Sequence, residues 1–340
     1  NPSIHVDTRR LNLQAMVQSA GQGKSDLSVA QVTSEIDTMK NLCDQTGDAA
    51  MLPRCLQNLA AELQSQLEGS KNPDQQAKLT AAFKILIDQL IGLSKDPAII
   101  ESAGAAMVVL ATNLEKIPAM AASVPSLMES AEKAFEKLRG LSAADLEKIH
   151  RKPEEILLKL AMAKRGAKNY AEAHKLFIEA LQKNANNITI QIEAANNLQK
   201  WSAGTDAQLL KDAMLGAEPG ANKNKLIWGW GKIAQVTSKY PNFQKEFFDS
   251  RLNVARCRSL LADAQTSPPE KQKLYDAAIS DISQTVVRFP ELGGAATFAE
   301  FDRLLREIQQ KAKKPVTGVA GLQAAGLNAT PTDANGNPNK

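Results

Sequence analysis

Rings are scarce in this chain: three tryptophans, three tyrosines and nine phenylalanines among 340 residues. A core with so few of them must be filled by aliphatic side chains. Alanine, leucine, lysine, glutamine and glutamate dominate instead, a composition that favours helix over sheet. Alternating β-branched runs are almost missing too, which argues against strands. Histidine is just as sparse. His5, His150 and His174 lie far apart, and none stands at metal-ligand spacing from a cysteine or carboxylate, so the sequence predicts no metal site. No glycine-rich phosphate loop occurs, Gly293-Gly294 being a lone turn, and no strained nucleophile motif of the Gly-x-Ser-x-Gly type is found. Acidic neighbours such as Glu154-Glu155 fall in the first turn of a helix, where the dipole accounts for them. The sequence therefore predicts no catalytic residue, no cofactor and no enzyme.

The three cysteines, Cys43, Cys55 and Cys257, match no zinc spacing. Cys43 continues the stripe Val29, Val32, Ile36, Met39. Cys55 sits beside the stripe Leu52, Leu56, Leu59, Leu63 on the next helix, across the turn Gln45–Ala50. Two readings stay open: small buried residues on facing helices, or a disulfide between Cys43 and Cys55 formed in an oxidising compartment. Cys257 reads as helical filler. Charge of one sign is lacking as well. The formal net charge is +4, with 41 basic and 37 acidic residues interspersed, so no basic stripe marks a nucleic-acid partner. The densest basic cluster, Lys311, Lys313 and Lys314, closes a helix. No apolar run approaches the ~20 residues that span a bilayer; the longest, Ala103–Ala111, reads as a buried helix and not a transmembrane segment. The chain opens on Asn-Pro without methionine, as a processed exported protein or a fragment of a larger one does.

What is present is helical period. Residues 1–25 hold Gly21 and Gly23 with no sustained repeat, and read as an extended arm. An N-terminal helical domain follows over 26–152, as an array of helical hairpins or a bundle. Its expected helices are Leu27–Gln45, Pro53–Glu68, Asp74–Ser94, Pro97–Glu115 and Ser126–Arg139. Ser142-Ala-Ala-Asp145 then has the form of a capping box opening another. Met107, Met120 and Met128 fall at helical spacing, as core residues or as the lining of a cavity. Over 153–313 the pattern sharpens. Leu157 and Leu160 mark one helix; Tyr170, Ala173, Phe177 and Ala180 mark the next. Tyr275, Ala278, Ile282 and Pro290 repeat the spacing of Tyr170, Ala173, Phe177 and Ala185. Between these copies come helices at Asn187–Trp201, Thr205–Leu215, Lys223–Lys239 and Phe243–Ala264. Thr297-Phe-Ala-Glu300 caps an expected last helix, and 314–340, rich in Gly, Ala, Asn and Pro, reads as a flexible tail. That tail contains the glycosylation-type triplet Asn328-Ala-Thr330.

These alternating small and large residues resemble the tetratricopeptide repeat, whose helices cross at small side chains. The stretches LIWGWGKIAQ, FFDSRLNVARCRSLL and FPELGGAATFAEFDRLLREIQQKA are similar to divergent tetratricopeptide proteins of planctomycete-type bacteria. The resemblance covers about Glu154–Ala312. It implies an all-α α-solenoid of antiparallel helix pairs, an exported, periplasmic or envelope-associated location, and scaffolding without chemistry. On this reading the protein is an assembly subunit binding protein partners, in a homo- or hetero-oligomer. A carrier for a small apolar ligand or a cell-wall polymer is the alternative. Partner contacts are expected from first-helix positions Lys164, Gln191, Asn196, Asn197 and Arg256. Trp228 and Trp230, two apart on an expected helix, are either both core or one core and one partner anchor.

Overall fold

The computed structural model describes residues 2–24, 27–47, 51–70, 72–220 and 225–327. Among them are sixteen α-helices and a single two-stranded sheet, an all-α, repeat-like architecture as the sequence predicts. The chain divides into two compact units, Asn1–Leu176 and Phe177–Lys340. The boundary lies well past the expected 152/153 junction, inside a helix.

The first unit opens with α1 (Pro2–Gly21), so the expected arm is helical. Val6, Leu13, Val17 and Ala20 are its buried residues, a stripe one side chain wide. Exposed Ile4 and Leu11 on other faces blur the period, which is why the pattern is hard to see. α1 packs on α2 (Val29–Asp44) and on α3 (Met51–Gly69). Then come α4 (Pro73–Leu93), α5 (Pro97–Leu114), α6 (Val124–Arg139), the short α7 (Ala143–Lys148) and α8 (Pro153–Gly166). Neighbours α3 and α4, α4 and α5, and α5 and α6 pack in sequence, and α8 lies on α6. The starts follow local chemistry. Ser28 and Gln31 form a reciprocal capping box, and Asn72 and Asp96 cap helices whose first residue is proline. Ser142 accepts from the Asp145 amide at 3.1 Å, as expected.

Of the described helices, only α5 has the length and apolar composition to cross a membrane. Ile100, Ala103, Met107, Leu110 and Leu114 are buried along it, so it reads as a core helix. At Gly104 an added Cβ would stand 2.8 Å from that of Ala134, so the lack of a side chain lets α5 and α6 approach closely. Met107, Met120 and Met128 are all buried core residues. The Glu101 carboxylate takes Arg151 at 3.1 Å and also Lys159. Burial alone would raise its pKa, but the hydrogen bond and charge of Lys159, with Arg151 added, hold it below the usual carboxylate range. Cys43, Cys55 and Cys257 are all buried, and the structure holds them as thiols. Burial pushes the Cys55 thiol up and that of Cys257 to about 12, which leaves both inert. Half of the turn between the first two cysteines, 48–50, lies outside the described residues.

α9 (Tyr170–Lys183) contains the unit boundary. Its phase is the expected one: Ala173, Phe177 and Ala180 are fully buried and the Lys175 side chain is 71% exposed. Replacing Ala173 by leucine should therefore cost about 1–3 kcal/mol through overpacking, whereas Lys175→Leu should be nearly neutral. Urea melts of the two variants check this; equal losses would overturn the helix phase.

The second unit continues with α10 (Ile188–Trp201) and α11 (Ala207–Leu215). Of the expected helix Lys223–Lys239, residues 223 and 224 lie outside the described residues, and the described part is helical only from Gly229. An antiparallel hairpin, β1 (Ala217–Pro219) with β2 (Lys225–Ile227), precedes α12, which starts only at Gly229 and ends at Thr237. Next are α13 (Gln244–Asp263), α14 (Pro268–Arg288), α15 (Ala295–Lys311) and α16 (Gly318–Leu327). Thr297 is inside α15, whose cap is Gly294, and α15 is not the last helix. α16 packs on α14 and α15, so part of the expected tail is folded: Val319 is fully buried and its amide donates to Asp302 at 2.7 Å. Asn328–Thr330 and the rest of the tail lie outside the described residues. Lys311 pairs with Asp263 and Glu307, and Lys314 with Asp276, so two of the three clustered lysines face carboxylates. Between α13 and α14, Arg258 reaches Asp281 at 3.1 Å. Burial of that carboxyl outweighs both Arg258 and Arg251, and its pKa is raised.

Candidate binding groove

Gln191 is the fixed point of the site. It lies one turn into α10, which Asn187 caps, and it is completely buried. Its Nε2 donates to the carbonyls of Ala185 and Leu226, each at 2.8 Å, and its Oε1 accepts from the Trp228 amide at 2.8 Å. One side chain thus ties the end of β2 to the start of α10 and satisfies backbone groups that no ladder reaches. An accessible partner contact was expected at Gln191; burial makes it an internal cross-link.

The hairpin is held from a second side. Gly216, at the end of α11, has φ +94°, and Gly229, at the start of α12, has φ +68°. A Cβ on Gly229 would lie 2.3 Å from the Gly216 nitrogen and 2.9 Å from the Met214 carbonyl oxygen. Two backbones therefore touch where side chains do not fit. This contact leaves Trp228 ahead of α12, half-buried, with Trp230 inside it and only 3% exposed. The two indoles are separated by a helix start and not by a helical turn, and the structure makes Trp230 the core member.

From Trp230 a polar ribbon crosses three helices. Its Nε1 donates to Gln199 Oε1 at 2.7 Å. Gln199 Nε2 makes a long 3.5 Å contact to Asn253 Oδ1, which also accepts from Arg256 Nη1 at 2.7 Å. The ribbon runs along a groove of about 570 Å³ between α10 and α13, lined by Ile192, Asn196, Gln199, Asn253 and Arg256 among others. Its charges are mixed: Glu193, Glu246, Asp249 and Glu300 beside Lys200, Lys245 and Arg256. Lys245 pairs with Asp249, and that hydrogen bond lifts its pKa above the ordinary lysine value. Ile188 and Phe243 line this groove and also a larger cleft of about 990 Å³, so the two are continuous. Leu215, Leu226, Trp228, Val236 and Tyr240 wall the cleft. Leu215 and Tyr240 are 66% and 53% exposed, and Tyr240 meets Phe243 edge-on at 6.3 Å.

Of the expected contacts, the structure places Asn196, Arg256 and Trp230 on the groove and Trp228 on the cleft. Asn197 is fully buried, because it falls on the α10 face that carries Ala194 and Leu198 inward. Lys164 belongs to the first unit, on α8. Its side chain is 15% exposed and paired with Glu132 and, at 3.9 Å, Glu136 of α6. It braces two helices and offers little to a partner. Gln199, Asn253, Lys225, Lys232 and Tyr240 were not foreseen. The cluster Gly216, Pro219, Gly220 and Gly229 was the signal available for the hairpin that presents the cleft. Among the described residues, no group of three or more His, Cys, Asp or Glu is placed to hold a metal ion.

A comparison with protein-family models finds none that matches, and a comparison with curated proteins finds none either. Among solved structures, one described as "Computational Design of Self-Assembling Cyclic Protein Homooligomers" aligns over 96% of both chains at 13% identity. Its TM-score of 0.14 is too low to carry an argument.

Proposed function

We propose that this chain is a non-catalytic scaffold or assembly subunit of tetratricopeptide type, which holds a segment of a protein partner in its second unit. The observation that carries the reading is the continuity of an amide-lined groove with a cleft that exposes apolar side chains on one set of helices. The side-chain amides of Asn196, Gln199 and Asn253 suit the hydrogen bonding of an extended backbone. Exposed Leu215 and Tyr240, beside half-buried Trp228, supply the aromatic and aliphatic anchors that dominate binding energy at interfaces. The buried methionines of the first unit are packed as core, which favours this reading over a carrier with its cavity there.

Selection of a displayed library of unstructured peptides on the intact chain tests it. The recovered peptides should bind about tenfold more weakly to Arg256→Glu in the groove or to Tyr240→Asp in the cleft, with the melting temperature unchanged. Recovery of no peptide, or of peptides indifferent to both variants, would overturn the reading.

A further inference from the structure

The two continuous compartments differ in charge. The groove mixes four carboxylates with three cations, whereas the described lining of the cleft holds Lys225 and Lys232 and no carboxylate at all. Both lysines are exposed, and Lys232 donates to the neutral side chain of Gln235 at 3.4 Å. Between them stand apolar side chains, several of them exposed. Leu215 is two-thirds exposed, Tyr240 about half, and the Trp228 ring is left half-buried because its amide, not its indole, is the group that Gln191 fixes. Apolar side chains flanked by two lysines, the charged residues of the described lining, suit a ligand that is apolar at its centre and anionic at its edge.

We propose that this cleft docks an acidic–apolar protein segment. Such a segment sets a large apolar side chain against Trp228 and Tyr240 and places flanking carboxylates at Lys225 and Lys232. The inference rests on the peptide-binding reading given above and specifies its partner. A fatty acid shares the chemistry of apolar body and carboxylate. The cleft, however, opens through Ile188 and Phe243 into a groove of amides and mixed charge, a continuation that fits a polypeptide chain leaving the cleft and that an acyl chain does not use. Attraction between exposed charges is screened by salt, so affinity should fall as ionic strength rises.

The test uses short fluorescent peptides of one Gly/Ser backbone and the intact chain. One peptide carries Leu-Phe flanked by glutamates, a second the same pair flanked by lysines, a third glutamates around serines; a fluorescent fatty acid is the fourth probe. The first should bind about tenfold tighter than the second and third, and Lys225→Glu with Lys232→Glu should invert the order of the first two. Lys225→Gln with Lys232→Gln, which neutralises the pair without reversing its charge, should make them equal. Melting curves confirm that the variants fold. If glutamate- and lysine-flanked peptides bind the unaltered chain equally and Tyr240→Asp abolishes both, peptide binding stands and the acidic preference is overturned. If no peptide binds, both fall. Binding of the fatty acid alone makes the cleft a lipid site and also overturns the proposal.

Discussion

Replacing Gly229 by alanine will cost the Phe177–Lys340 unit about 2–5 kcal/mol. Two penalties add. A non-glycine residue held at φ +68° loses roughly 1–2 kcal/mol to the clash of Cβ with its own backbone. The new methyl group must also displace the Gly216 nitrogen, 2.3 Å away, and the Met214 carbonyl, which as main chain cannot swing aside. Overpacking of that kind adds about 1–3 kcal/mol. Gly204 separates the two. It lies in the same unit at φ +77°, and the nearest atom to its added Cβ is the side-chain Leu260 Cδ2 at 3.3 Å. Gly204→Ala should lose only the conformational share, about 1–2 kcal/mol. Urea unfolding followed by far-ultraviolet circular dichroism measures both. Equal losses would mean that the close contact of Gly216 and Gly229 contributes nothing.

Gln191→Leu is the second large effect expected. Leucine keeps much of the volume but strands the Ala185 and Leu226 carbonyls and the Trp228 amide, which now share one side chain. A polar group left buried without a partner costs about 1–3 kcal/mol, so the loss should reach roughly 2–4 kcal/mol even if water repairs one site. Gln199→Leu removes the short bond to the Trp230 indole and should cost about 1 kcal/mol. Hydrogen exchange localises the difference. The Trp228 amide should exchange faster in Gln191→Leu and hold its protection in Gln199→Leu. A Trp228 amide as slow in Gln191→Leu as in the unaltered chain would show that the cross-link is dispensable.

Where the chain could be read from its letters, the reason is local. Asn72-Pro73 and Asp96-Pro97 begin helices because cap and proline act within one turn. The buried phase of α9 follows from Ala173, Phe177 and Ala180, since those residues recur with the helical period. Legibility fails where distant residues decide. The narrow stripe of α1 is stabilised by α2 and α3 and not by its own amphipathicity. The hairpin within the expected helix from Lys223 depends on two glycines at positive φ and on a glutamine more than thirty residues earlier in the chain. The same holds for the site. Asn196 and Arg256 face the groove as expected, but Gln191 and Asn197, close by on α10, point inward; Lys164 is claimed by Glu132. Polar residues on a repeat helix look alike in sequence, and only their neighbours show which of them bind inside the molecule.

The ribbon from Trp230 through Gln199 and Asn253 to Arg256 has an optical consequence. All three tryptophans, Trp201, Trp228 and Trp230, fall in the second unit, so the first is dark to selective indole excitation. Emission from the intact protein is therefore a report on residues 177–340 alone. Within that report the indoles are placed differently. Trp230 is buried, with its N–H held by Gln199, and Trp228 stands half-open on the cleft. A soluble quencher such as iodide should reach Trp228 and the equally half-buried Trp201 and spare Trp230. A ligand seated in the cleft should protect the Trp228 share of the accessible emission and leave the Trp201 share open, whereas one that draws Arg256 away from Asn253 should shift the colour of the protected fraction. The protein thus carries its own spectroscopic readout for which of the two compartments is occupied, with no label attached.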